Sequence, residues 1–319
     1  MRKKVAFLSC LLLVLLWLSG CGGDSGELAV LVASGTSTSQ WYPISAGICS
    51  YIMDISAEAQ VTSGGIENGT LVGRQDMEFG FINSNAAYAA RNGLWPYTQC
   101  YDVSAVAELY TCAVQIVVFD DSGIRKVQDL RGKRVVLSPP GSSLYMAALD
   151  ILAAYGLDES TVSGVQMSYS EGVIAMRDGH CDAMIVIMPM PNSSITELSL
   201  VRDVRLLPID KAAELAEQYP YFRADTIPAD TYSQSDVSEA PIPTVRLGVM
   251  LITGSQVADN HVDAVLISIF DHLPQLGEIQ AIAKGITLDN AALTPIPLHP
   301  AAQRFYASRG VTEIRGGAS

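Results

Sequence analysis

Along most of this chain short β-leaning apolar runs alternate with segments whose apolar residues recur at helical spacing, and small polar residues stand at the seams. Residues 28–33 read as a strand, 34–39 as a loop of small hydroxyl residues, and 44–55 as a helix. The order returns with a strand at 59–62, a Ser63-Gly64-Gly65 loop and a helix at 66–74. A buried strand at 79–82 then ends at Asn83, Ser84 and Asn85. A second series starts with a strand at 115–119, a short helix at 124–130 and a strand at 133–137. It leads through Ser138, Pro139, Pro140, Gly141, Ser142 and Ser143 into a well-marked helix. Ser142 or Ser143 can cap that helix, Leu144, Ala147, Ala148, Ile151, Leu152 and Tyr155 form its apolar stripe, and Gly156 ends it. Strand 166–169, helix 171–177 and strand 183–188 follow, stopping at Pro189-Met190-Pro191.

Beyond residue 200 the pattern loosens. The Pro-rich, acidic stretch 219–243 shows no long element and reads as surface of a second lobe, 246–252 is a strong strand, 256–273 a long amphipathic helix and 301–309 a last short one. No repeat period is visible, which excludes a solenoid. Strands that end in small polar residues before a helix predict an α/β fold whose ligand crevice lies at the strand carboxyl ends, where unpaired N–H groups and helix dipoles converge.

The length, 319 residues, suits about two domains. Twenty Lys and Arg against 33 Asp and Glu, a formal net charge of -13, argue against nucleic acid as a partner, because that affinity rests on clustered cations. Arg2, Lys3 and Lys4 precede an apolar run at 5–18 that closes on Leu18-Ser19-Gly20-Cys21. The run is shorter than the roughly 20 residues needed to span a bilayer, so residues 1–20 read as an export signal rather than a membrane anchor. The closing residues resemble the bacterial lipobox, which implies a diacylglycerol on Cys21, a tether over 21–26 and a lipid-anchored protein in the periplasm or on the outer face of the cytoplasmic membrane. Removal of the signal takes three basic residues and no acidic one, leaving 17 against 33. Cys49, Cys100, Cys112 and Cys181 then remain in a compartment that permits disulfides. They allow three pairings, and buried free thiols are the other reading; without a CxxC, zinc is not expected.

Six blocks occur in order: 34–43 with Trp41-Tyr42-Pro43; Ser63-Gly64-Gly65-Ile66-Glu67-Asn68; Phe81-Ile82-Asn83-Ser84; Ser122-Gly123-Ile124 followed by 129–135; Ser138-Pro139-Pro140-Gly141-Ser142; and Pro295-Ile296-Pro297-Leu298-His299-Pro300. Together they resemble the TAXI family of solute-binding subunits of TRAP transporters, over nearly the whole mature chain. The resemblance implies a two-lobed type II periplasmic-binding-protein fold, α/β, with a small carboxylate held in the cleft between lobes and passed to TRAP membrane subunits. It further implies no cofactor, no metal and a monomer. With crossings read near 115–120 and 244–252, lobe one covers 27–118 plus 246–319 and lobe two 119–245.

Candidate ligand residues on lobe one are Ser34, Gly35, Thr36 and Ser37, where glycine permits a turn and the hydroxyls can donate to a carboxylate. Trp41 and Tyr42 are candidate walls, Ser63, Gly64, Gly65 and Asn68 a second anion-friendly turn, and Asn83 and Ser84 a further polar pair. Glu67 fits equally as a helix cap. Lobe two contributes Pro140, Gly141, Ser142 and Ser143 at a helix start, with Pro189 and Met190 closing the floor. No Arg lies in these loops, so neutral donors have to carry carboxylate recognition. The family's Thr-Gly-Gly-Thr loop is replaced by Thr36-Ser37-Thr38-Ser39, which leaves room for a different ligand. Other readings are an ABC-type or sensor-linked receptor of the same fold, or an exported hydrolase with Ser142 or Ser143 as nucleophile. The absence of GxSxG, HExxH, Walker A and GxGxxG, and the scattered His180, His261, His272 and His299, count against an enzyme.

Overall fold

The computed structural model describes residues 29–53, 55–229, 231–232 and 241–313. Its first half-sheet is parallel, with β1 (Val30–Ala33) between β2 (Ala57–Gln60) and β3 (Phe79–Asn83). All five residues of β3 are buried, as a continuous apolar run requires of a strand covered on both faces. Each of these strands runs into a helix: α1 (Trp41–Ser50), α2 (Gly65–Gly73) and α3 (Ser84–Asn92).

Two long antiparallel strands join this half to the rest, β4 (Ser104–Phe119) and β10 (Ile242–Thr253). β10 lies between β3 and β4: Val249 pairs with Asn83 on one side and Tyr110 on the other. The later part of β4 pairs with β7 (Ala183–Met188) and β8 (Val204–Leu207), and the earlier part of β10 with β9 (Phe222–Ile227). β5 (Val135–Leu137) and β6 (Gly164–Gln166) extend the second half parallel to β7. The spatial order is β2-β1-β3-β10-β4-β7-β5-β6, with β8 and β9 alongside.

Around the second half-sheet lie α4 (Ser143–Ala154), α5 (Tyr169–Arg177), α6 (Ser193–Ser199) and α7 (Ala212–Gln218). The chain closes with α8 (Asp259–Phe270), α9 (Leu273–Ile279), α10 (Leu288–Ala291) and α11 (Pro300–Ser308). The main apolar core runs continuously from Val32 and Phe81 through Tyr110 and Ile116 to Ile151, and a second packs Val136, Met184 and Val186 under Val173 and Ile195. Among the described residues no helix is long and apolar enough to cross a membrane.

Several expectations are corrected. The strand expected at 115–119 is the end of the 16-residue β4, whose earlier residues mix Ala, Glu108 and Thr111 with apolar ones and so hide the run. The acidic stretch after 219 holds β9, an alternating edge strand with Arg223, Asp225 and Thr226 facing outward or half-buried. The helix expected at 256–273 covers only Asp259–Phe270, and Pro274 lies in the first turn of a new helix, α9, that runs on to Ile279. The helix at 124–130 is a 3-10 turn over Val127–Leu130. Of the two readings left open for the cysteines, the structure has the free thiols, at Cys49, Cys100, Cys112 and Cys181. Cys21, the signal and the tether lie outside the described residues.

Candidate functional site

The carboxyl ends of β1, β2, β3, β5 and β7 open onto one cleft of about 680 Å³ between the two half-sheets, within the size range of small-molecule sites. One wall carries Gly35, Thr36, Trp41, Ser63, Gly64, Gly65 and Asn83; the other carries Pro140, Gly141, Ser142, Ser143 and Pro189. The structure thus brings twelve of the expected residues together.

Six others sit elsewhere. Ser34 is fully buried, with Oγ donating to the Val32 carbonyl. Asn68 is equally buried; its Nδ2 donates to the Ser34 and Phe81 carbonyls at 2.7 Å, tying β1 to β3 beneath the cleft. Ser84 Oγ accepts from Gly248 N and donates to the Tyr221 carbonyl. The hydroxyls of Ser34 and Ser84 and the amide nitrogen of Asn68 are thus committed to backbone. Ser37 and Tyr42 lie outside the lining, and Met190 lines an adjoining cavity of about 270 Å³ with Glu108, Thr111 and Arg246.

Residues missed from sequence complete the walls: Thr38, Ser39 and Gln40 after β1, Tyr110 and Cys112 on β4, Ile187 and Met188 on β7, and Val249 on β10. Tyr110 and Cys112 stand two apart on a strand, a spacing that becomes readable only once β4 is recognised as a strand along that length.

The polar character of the cleft comes from backbone. α1, α2 and α4 all begin at its edge, and their first-turn N–H groups lack intrahelical acceptors. Ser142 Oγ caps α4 by accepting from Tyr145 N at 3.1 Å, which leaves the N–H groups of Ser143 and Leu144 at the helix mouth. Gly64 and Gly141 take φ values of 126° and 81°, and a Cβ at either would meet nothing within 4 Å. Glycine is needed there for the backbone turn and not for space.

Among the described residues Glu67 is the only charged side chain in the lining, and no Lys, Arg or His joins it. The Ser63 N–H and hydroxyl, at 2.6 and 2.7 Å, hold its carboxyl below the usual range. The capping role of Glu67 and its place on the cleft wall therefore coexist. Burial pushes the Cys112 thiol up to about 12, which removes it as a nucleophile.

Two hydrogen bonds join the walls at the floor. Ser143 Oγ donates to Asn83 Oδ1, and Asn85 Nδ2 donates to the Ser143 carbonyl, both at 2.7 Å. Ser142 Oγ donates to the Pro139 carbonyl. Both serine hydroxyls are thus engaged, and among the described residues neither has a histidine partner. His299, 2% exposed, accepts from Ala301 N and caps α11, so its block is structural.

The sequence profile of the NMT1-like family matches residues 32–310. Among solved structures the chain is similar to the periplasmic aliphatic sulphonate binding protein SsuA of Escherichia coli, at 15% identity over 89% of each chain with a TM-score of 0.51. It is also similar to PhnD1 of Prochlorococcus marinus in complex with methylphosphonate, at 9% identity over 88% of this chain and 97% of that one, with a TM-score of 0.53. A binding protein component of an ABC phosphonate transporter from Pseudomonas aeruginosa aligns at 11% identity over 81% and 79%, with a TM-score of 0.51. At these identities the likeness establishes the two-lobed α/β fold alone.

Proposed function

The chain belongs to the NMT1-like family, and from that premise and the two-walled cleft we propose that it is an extracytoplasmic solute receptor. It takes a small carboxylate, closes on it and delivers it to the membrane subunits of a TRAP transporter. The observation that carries this reading is the convergence of three helix N-termini on a cleft with no basic side chain among the described residues. Such termini stabilise an anion by about 0.3–1 kcal/mol each through their dipoles, and hydrogen bonds from their free N–H groups to a charged acceptor add about 1.5–3 kcal/mol apiece, in place of a guanidinium. Glu67 on the same wall suits a ligand that also carries an ammonium group, as an amino acid does.

Lobe one is then 27–118 with 246–319, lobe two is 119–245, and β4 and β10 carry the hinge. The Asn83–Ser143 bond is one that opening would have to break. A second reading, an ABC-type receptor for a phosphonate or sulphonate, draws on the ligands named for the similar structures.

A thermal-shift panel of amino acids, 2-oxo acids, dicarboxylates, methylphosphonate and ethanesulfonate separates them. A carboxylate is expected to stabilise the protein, by about 2.7 kcal/mol at a hundred times its dissociation constant, and to shrink the radius of gyration in X-ray scattering. Stabilisation by the phosphonate or sulfonate alone would transfer the case to the second reading, and conversion of the solute to product would end both. We also propose that Cys21 is lipid-modified; the mass of the N-terminal peptide of the mature protein is expected to include a diacylglyceryl group, and an unmodified Cys21 refutes it.

A further inference from the structure

Away from the cleft, a second cavity of about 330 Å³ lies where α3 faces α4, bounded also by the turn between α7 and β9. The rings of Tyr88, Tyr219 and Tyr221 form its wall, with centroids 5.7 Å apart for Tyr88 and Tyr221 and 5.4 Å for Tyr219 and Tyr221. Asp150 stands among them. Its Oδ2 accepts from the Tyr221 hydroxyl at 2.7 Å, while Oδ1 has no hydrogen-bond partner and the carboxylate no basic partner among the described residues. Asn85, 1% exposed, also borders the cavity, with its Nδ2 committed to the Ser143 carbonyl. Met146, Leu149 and Leu94 make up the apolar part, with Trp95 at 59% exposure beside them.

Aromatic faces are negative at their centres, and a carboxylate without a counter-ion adds a full charge to the same space. The open oxygen of Asp150 is matched by an N–H donor, which a primary ammonium provides and a quaternary one does not. We propose that this cavity is a second binding site, for a primary organic ammonium ion with an aromatic or aliphatic tail. The tail lies along Met146 and Leu149, and the ammonium meets Asp150 against the tyrosine rings. Burial raises the Asp150 carboxyl to about 6, still below neutrality, so the charge that attracts the cation is present at pH 7.5. Because α3 and α4 belong to opposite sides of the cleft floor, joined by Asn85 and Ser143, an occupant touches both.

The test is calorimetric titration of the full-length protein with 2-phenylethylammonium, and with 3-phenylpropanoate as an anion of similar shape. The ammonium is expected to bind at millimolar or lower concentration, and the anion about tenfold more weakly or not at all. Asp150→Asn is expected to weaken the ammonium by about tenfold, and Tyr219→Leu, which keeps an apolar wall but removes a π face, by severalfold. Glu67→Gln is expected to leave it unchanged, because an amine without a carboxylate offers nothing to the helix mouths of the cleft, and this separates the two cavities. Circular dichroism confirms that each variant is folded. Absence of heat with the ammonium, equal binding of the anion, unchanged affinity in Asp150→Asn, or loss in Glu67→Gln each overturns the proposal.

Discussion

Arg223→Met is expected to destabilise the protein by about 1–1.5 kcal/mol more at pH 8 than at pH 5, because it strips a buried carboxylate of its counter-ion and makes it take up a proton. Arg223 on β9 forms an ion pair with Glu108 on β4, whose side chain is 3% exposed, and donates also to the Leu293 carbonyl at 3.1 Å. Burial pushes the Glu108 carboxyl up to about 7 against the pull of Arg223, and methionine would leave it only the weaker pull of Arg246. A carboxyl raised on folding is bound more tightly to its proton in the folded chain, so ionising it above pH 7 costs stability and that cost is absent below its unfolded value of 4.5. The loss should therefore shrink markedly at pH 5, where Glu108 carries a proton in both proteins. Urea unfolding at the two pH values reads this directly; an equal loss at both would mean that Arg223 acts through packing and its bond to Leu293, not through Glu108.

The opposite sign is expected at Asp150. Desolvation raises this carboxyl from 3.8 to about 6, with only the Tyr221 hydroxyl opposing it. The folded chain thus pays to ionise Asp150, fully above pH 6 and not at all below pH 3.8. Asn keeps an acceptor for Tyr221 and removes the charge. Asp150→Asn should accordingly raise stability by about 2–3 kcal/mol at pH 8 and leave it unchanged at pH 3. A variant that is no more stable at pH 8 contradicts a desolvated carboxylate. Retention of a charge that weakens the fold is the trade expected of a binding group.

The cleft was legible where local chemistry and position coincide. A strand followed by Gly and hydroxyl residues before a helix marks an anion-friendly mouth, and Ser63 to Gly65 and Pro140 to Ser143 meet there as expected. Residue type alone misled at Asn68, Ser34 and Ser84, since a polar side chain at a strand end can serve the backbone as well as a ligand. Nothing local separates the two; only the neighbouring strands supply the carbonyls that claim Asn68. Tyr110, Cys112 and Val249 were invisible for another reason. They reach the cleft through pairing of β4 with β10, segments more than a hundred residues apart. β9 was lost to its Pro-rich, acidic surroundings, although its alternation is that of an edge strand.

The place of β10 governs how the chain can assemble during synthesis. β3 ends at Asn83 and β4 at Phe119, but the strand that separates and satisfies them begins only at Ile242. When translation has finished β4, the first half-sheet is present with the facing edges of β3 and β4 unpaired, and β10 is still to be made. At about 5–20 residues per second the interval is on the order of ten seconds. A nascent chain in that interval offers backbone donors and acceptors to any other strand, so a chain truncated between β4 and β10 should enter inclusion bodies or stay bound to a holdase rather than form an independent first lobe.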